Sequence, residues 1–268
     1  MKIIPECKKL MPFVDEQRPF ESVCEYFGFP LKDGQGGRSA PVRKVLNNPD
    51  GGTVVVYFKL YGYGKFRRAL SRMMKSSKSR REMENLLYFH KLGIPACEPI
   101  AQGELRDRWG VLRNCLIITK EVTGSQQLDV FIDELEASDE SAEVKSDLRR
   151  QIIISVATNL RLIHQHWFYH KDIKWRNVLV RRVGERGEKV EVFWIDCPSG
   201  FFDRTGGFRR KHGVIKDLCD LDQLACRNCS DEERWYFLSL YTGKVLGDPA
   251  LIKLARQVVN YRIRKRGA

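Results

Sequence analysis

The sequence predicts an α+β fold, with a small antiparallel sheet and one helix towards the N-terminus and a mainly helical C-terminal part. Two β-branched runs, Val42–Leu46 and Thr53–Leu60, flank Asn47-Asn48-Pro49-Asp50-Gly51-Gly52, a strong turn signal that joins them as neighbouring strands. Further on, Leu148, Ile152, Val156, Leu160 and Ile163 recur at helical spacing and form one apolar stripe. Between that helix and the apolar run Val178-Leu179-Val180 lies a polar stretch, His170 to Asn177, which places chemistry-bearing side chains between two packed elements.

Residues 1–31 have no clear period, although Phe13, Phe20, Tyr26, Phe27 and Phe29 supply apolar bulk, and a lead-in strand is expected near 26–32. Gly34, Gly36 and Gly37 then form a Gly-rich turn, where backbone N–H groups approach a ligand closely or the chain simply reverses. Lys59 closes the second strand. A lysine in a buried strand needs a partner, whereas on an edge strand it points to water. From Lys65 to Arg81 eight cations occur without an acid, interleaved with Phe66, Leu70, Met73 and Met74. That pattern suits an anionic lipid or glycan surface, and equally a solvated helix face. A helix starting at Glu82 ends before Gly93 and Pro95. Glu82 lies one turn before Leu86, which favours it over Glu84 as the inward acid. Leu116–Val122 is a buried strand running into a polar segment. Residues 132–147 are rich in Asp and Glu and read as a solvated acidic connector or short surface helix. The last helical region is expected to begin after Asp217 and to end in a basic tail, Arg262 to Arg266.

Composition narrows the function. The chain has 268 residues, 43% of them hydrophobic, enough for one or two small domains with their own cores. With 47 Lys+Arg against 34 Asp+Glu the formal net charge is +13, which points to an anionic partner. No secretory signal is read at the N-terminus and no apolar run is long enough to span a bilayer, so a cytoplasmic protein with at most peripheral membrane contact is expected. The eight cysteines are then reduced thiols. Cys226 and Cys229 form one CxxC, but no second pair completes a zinc site.

The pattern His170-x-Asp172-x-Lys174-x-x-Asn177, followed after the strand Val190–Ile195 by Asp196, resembles the catalytic loop and metal-binding aspartate of the protein-kinase-like superfamily. Lys59, Glu82 and Lys216-Asp217-Leu218 extend the resemblance over residues 35–245. Three features look most like the bacterial lipopolysaccharide core kinases of the Kdo/WaaP family: the spacing from Glu82 to Leu92-Gly93-Ile94, the short segment from Asp196 to Lys216, and the overall size.

The resemblance implies a two-lobed protein-kinase-like fold, with a nucleotide-binding lobe over 1–121 and a catalytic lobe over 122–268. It implies ATP and Mg²⁺ as cofactors. Asp172 would orient the acceptor hydroxyl and take its proton, and Lys174 would offset charge on the moving phosphate. Asn177 and Asp196 would hold the metal. Lys59, paired with Glu82, would grip the α/β-phosphates, Gly36 and Gly37 would cover them, and Lys120 and Val122 would offer backbone groups to adenine. The implied acceptor is a heptose or Kdo hydroxyl of the lipopolysaccharide inner core, or another anionic glycan, at an anionic membrane surface. No nucleic-acid partner is expected. Two departures are notable: Trp175 stands where protein kinases commonly have proline, and Cys197-Pro198 where they have Phe-Gly. A protein kinase or antibiotic-type phosphotransferase is the alternative enzyme, although the short stretch after Asp217 argues against the usual peptide-binding helices. A basic nucleic-acid-binding module would explain the charge but not the joint occurrence of Asp172, Asn177 and Asp196.

Overall fold

The computed structural model describes residues 1–29, 40–63 and 76–266. Gly36, Gly37 and most of the basic segment, residues 64–75, lie outside the described residues. The chain divides into two units, Met1–Lys91 with Ala96–Thr123, and Leu92–Pro95 with Gly124–Ala268.

Among the described residues, the first unit holds an antiparallel sheet of β1 (Lys2–Ile3), β2 (Val42–Asn47), β3 (Thr53–Gly62), β4 (Pro99–Arg106) and β5 (Leu112–Lys120), in the order β1-β4-β5-β3-β2. The predicted turn at residues 48–52 closes β2 onto β3, with Leu46 opposite Val54 and Val42 opposite Phe58. Alternation then assigns the two faces of β3. Val56, Phe58 and Leu60 enter one buried cluster with Cys7, Leu10, Phe20, Val23 and Phe27. Helix α2 (Lys78–Lys91) packs on β4 and β5, burying Glu82, Met83, Leu86 and Phe89. The N-terminal segment departs from expectation. Pro19–Tyr26 is a helix, α1, with Phe20, Val23 and Cys24 buried, so Tyr26 ends a helix; residues 30–32 of the expected strand lie outside the described residues. Proline at the first helical position and apolar residues at 20, 23, 24 and 27 supply the local reason.

The second unit is mainly helical. Helix α3 (Leu128–Ala137) follows strand β6 (Ser125–Gln127), and α4 (Ala142–Gln165) carries the predicted stripe inward. Of the two readings of the acidic stretch, the structure shows the short surface helix over its first part, up to Ala137. Leu128, Phe131, Ile132 and Leu135 fall at i, i+3, i+4 and i+7 and are buried, while the acids take the outer face. After β7 (Phe168–Tyr169), a short 3₁₀ turn (Trp175–Asn177) leads into β8 (Val178–Val183) and β9 (Lys189–Trp194), which form a sheet in the order β6-β8-β9. Strand β10 (Phe201–Phe202) pairs with β7. Helices α5 (Phe208–Asn228), α6 (Asp231–Thr242) and α7 (Pro249–Arg266) complete the unit. Helix α5 starts ahead of the expected position, and the stretch beyond Asp217 is helical almost throughout. Cys226 lies in the last turn of α5 and Cys229 just past it, both as free thiols. No helix among the described residues is long and apolar enough to cross a membrane.

Candidate active site

In the first unit the candidate residues meet on the face of β3 opposite the Phe58 cluster. Lys59 donates from Nζ to Glu82 Oε1 at 2.9 Å, with the glutamate side chain fully buried. Tyr61, two residues on and hence on the same face, donates its hydroxyl to Glu82 Oε2 at 2.8 Å. Both carboxylate oxygens are thereby engaged, which is how a buried charge is tolerated. Glu84 lies on the exposed side of α2 and pairs with Arg80 at 2.9 Å, so helical phase selects Glu82. At the end of β5, the Lys120 N–H donates to the Glu98 carbonyl at 2.8 Å and the Glu121 N–H to the Val55 carbonyl at 2.9 Å. The Lys120 ammonium pairs with Glu98. Val122 follows in the segment that leaves the sheet.

In the second unit the loop after β7 is held from below. Asp217 on α5 is fully buried. Its Oδ2 accepts the His170 N–H at 2.7 Å, and its Oδ1 accepts the Lys171 N–H at 2.6 Å. Lys216, the preceding residue, bonds the Lys171 carbonyl and pairs with Asp220. The loop itself closes by short-range bonds. Lys174 N–H donates to the Asp172 carbonyl at 3.0 Å, and Asn177 N–H to the Lys174 carbonyl at 2.8 Å. Asn177 Nδ2 also donates to the Asp172 carbonyl at 2.8 Å, which leaves Oδ1 as the amide atom with ligating chemistry. The carboxylate of Asp172 pairs with Lys174 at 2.6 Å, and each of the two side chains is about a third exposed (31% and 32%).

Strand register sets the other half. Val178 pairs with Trp194, and the Ile195 N–H donates to the Asn177 carbonyl at 3.0 Å. Asn177 and Asp196 therefore sit at adjoining ends of β8 and β9. Asp196 has φ 58°, and Trp167 and Lys171 have φ 63° and 64°, so three non-glycine residues in or beside this loop adopt the left-handed conformation. His170 is packed edge-on to Trp194. Burial pushes its imidazole below the ordinary range, against the pull of Asp217, Asp172 and Asp196, and so favours the neutral ring.

The structure thus brings Lys59 to Glu82, and Asp172 to Lys174 and Asn177, with Asp196 beside Asn177. Sequence reasoning missed Tyr61, His164 and Tyr241. Tyr61 is the next residue on the Lys59 face, but nothing in the sequence marks its hydroxyl; His164 was legible as a polar residue one turn after Leu160 on an otherwise apolar stripe. Nothing local marks Tyr241.

Comparison with curated proteins gives no match. Among solved structures, one described as "WaaP in complex with acyl carrier protein" is similar, with a TM-score of 0.59 over 91% of this chain and 94% of that one. At 17% identity the likeness establishes the fold alone. The sequence model of the lipopolysaccharide kinase (Kdo/WaaP) family matches residues 41–241, well over half of the chain. On that match, this chain belongs to the lipopolysaccharide kinase (Kdo/WaaP) family.

Proposed function

We propose that this protein transfers the γ-phosphoryl group of ATP to a sugar hydroxyl, on heptose or Kdo, of the lipopolysaccharide inner core. The observation that carries this reading is the loop from Asp172 to Asn177, closed by its own bonds and anchored to Asp217. Phosphoryl transfer asks a protein mainly for positioning and for compensation of charge, and a rigid loop bearing an acid, a cation and an amide oxygen suits that task.

Asp172 orients the acceptor hydroxyl and receives its proton at the carboxylate. Lys174, held on Asp172 in the resting arrangement, offsets charge on the phosphate as the acceptor oxygen bonds to it. Lys59, fixed by Glu82, binds the α/β-phosphates, and the segment around Lys120 and Val122 contacts adenine. The Lys120 N–H is committed to Glu98, so the Lys120 contribution falls to its carbonyl. Asn177 Oδ1 and Asp196 are hard oxygen donors at adjoining strand ends, a set that fits Mg²⁺ with phosphate and water completing the shell. Held by Asn177 and Asp196, Mg²⁺ would offset the negative charge of the nucleotide phosphates. The net charge of +13 supports an anionic acceptor and peripheral contact with the inner face of the cytoplasmic membrane.

Incubating the protein with Mg·ATP and dephosphorylated core oligosaccharide should add phosphate to the sugar, read by mass. Asp172→Ala should cut the rate roughly 10²–10⁴-fold while leaving Mg·ATP affinity in place. A wild-type rate in that variant removes Asp172 from the reaction. Phosphate appearing on peptide and not on sugar favours the protein-kinase alternative.

A further inference from the structure

We infer that Tyr241, near the C-terminal end of α6, is a positioning residue for the catalytic loop, acting through His164 and Asp217. The inference rests on the phosphotransfer reading above and deepens it. His164 Nδ1 lies 2.7 Å from the Tyr241 hydroxyl, and its Nε2 lies 3.1 Å from Asp217 Oδ2. That same oxygen takes the His170 N–H, while Oδ1 takes the Lys171 N–H. Five residues, from three helices and the loop, therefore form one network of bonds, ending one residue before Asp172.

For a neutral His164 ring the direction of each bond follows from the donors and acceptors present. The Asp217 carboxylate only accepts, so Nε2 of His164 carries the hydrogen and donates it. In the neutral ring Nδ1 is then an acceptor, and the Tyr241 hydroxyl must donate to it. Tyr241 thus selects the His164 tautomer that can hold Asp217. Without the hydroxyl, the ring is free to carry its hydrogen on Nδ1, and Nε2 would then turn a lone pair towards the carboxylate. Asp217 would lose a donor and gain a repulsive neighbour while still holding two loop amides. Such a change shifts the loop, and small displacements of reacting groups cost rate more than they cost affinity. The surroundings keep the chain in place. The Tyr169 ring lies 5.2 Å from the His164 ring. Burial pushes the Tyr241 phenol upward, which keeps its proton on oxygen for donation.

The test uses the full chain. Tyr241→Phe keeps the ring and deletes one hydroxyl. It should lower kcat roughly ten- to hundredfold, with Mg·ATP affinity and KM for the acceptor little changed. In a His164→Leu background the chain is already cut, so Tyr241→Phe should cost nothing further. His164→Gln, whose amide can donate to Asp217 and accept from Tyr241, should recover much of the activity that His164→Leu loses. Amide hydrogen exchange at residues 170–171 reads the clamp without turnover, and it should quicken in Tyr241→Phe more than exchange in α4 or α6. Unchanged exchange at those amides, or an equal kcat loss with and without His164, overturns the inference. Exchange that responds in a protein that phosphorylates no core sugar upholds the clamp and rejects the acceptor assignment instead.

Discussion

At the scale of single residues, the buried pair of Lys59 and Glu82 separates stability from chemistry. Removing the lysine leaves a fully buried carboxylate to which Tyr61 still donates, and breaking such a pair typically costs about 3–5 kcal/mol. Lys59→Ala should therefore shift the denaturant midpoint strongly as well as abolish turnover. The double variant Lys59→Met, Glu82→Leu should regain most of the stability, since apolar replacement of a buried pair is often neutral, and should remain inactive. Stable but active double variants would show that the pair has no part in the reaction. Lys59 was legible because a cation at the end of a β-branched run demands a partner. Its partner was legible from helical phase, one turn before Leu86. The Tyr61 contribution was not, because a tyrosine in a strand serves equally well as apolar filling, and only the carboxylate's second oxygen reveals the hydroxyl's task.

At the scale of elements, helix α5 meets the loop through a glycine. A Cβ on Gly213 would lie 2.6 Å from the Tyr169 ring, well inside contact distance, so the helix approaches β7 closely only because that position lacks a side chain. Gly213→Ala gains helix propensity on paper, by roughly 1 kcal/mol. Overpacking should outweigh that gain, with a net cost of about 1–3 kcal/mol and lower turnover, since Tyr169 directly precedes His170. Calorimetry and initial rates on the purified variant decide it. Unaltered values in both would mean that α5 shifts freely. The same helix shows what the sequence withheld. Its start at Phe208 has no side-chain cap, so the pattern first became readable at Lys216-Asp217-Leu218. By contrast α6 opens on Ser230 and Glu233, which bond each other's backbone reciprocally as a capping box. Helix α3 was obscured by its acids, although its apolar spacing was in plain view.

At the scale of the whole molecule, the net charge of +13 bears on the proposed contact with an anionic membrane. Each cation near an anionic surface contributes on the order of 1 kcal/mol, screened beyond about 8 Å at physiological salt. Reversing Arg67, Arg68, Arg72 and Lys75 should weaken sedimentation with anionic liposomes and turnover on membrane-bound acceptor, while Mg·ATP binding without membrane stays the same. Sedimentation of the reversed protein at wild-type levels in low salt would reduce the segment to a solvated face. Strands β2 and β3 were legible from the turn at residues 48–52, and α4 from the stripe between Leu148 and Ile163. The extra helices at the C-terminal end were not, because basic α7 buries few positions, Leu251 and Val258 among them, and most of its length reads as polar.

The three left-handed residues around the loop carry one further implication, for heat. Trp167, Lys171 and Asp196 each adopt a conformation that costs an L-residue on the order of 1 kcal/mol, against a total stability of only about 5–15 kcal/mol for an ordinary domain. The Asp217 carboxylate holds Lys171 by its N–H, and backbone bonds to His164 and Asp203 hold Trp167. A slight loosening of those neighbours lets the loop relax to a lower-energy shape while the helices and sheets persist. Warming should then silence the enzyme some degrees before it melts: the temperature of half-activity should lie below the midpoint of the far-ultraviolet circular dichroism transition, and cooling from that interval should restore the rate. Coincident midpoints would mean that the loop and the fold give way together.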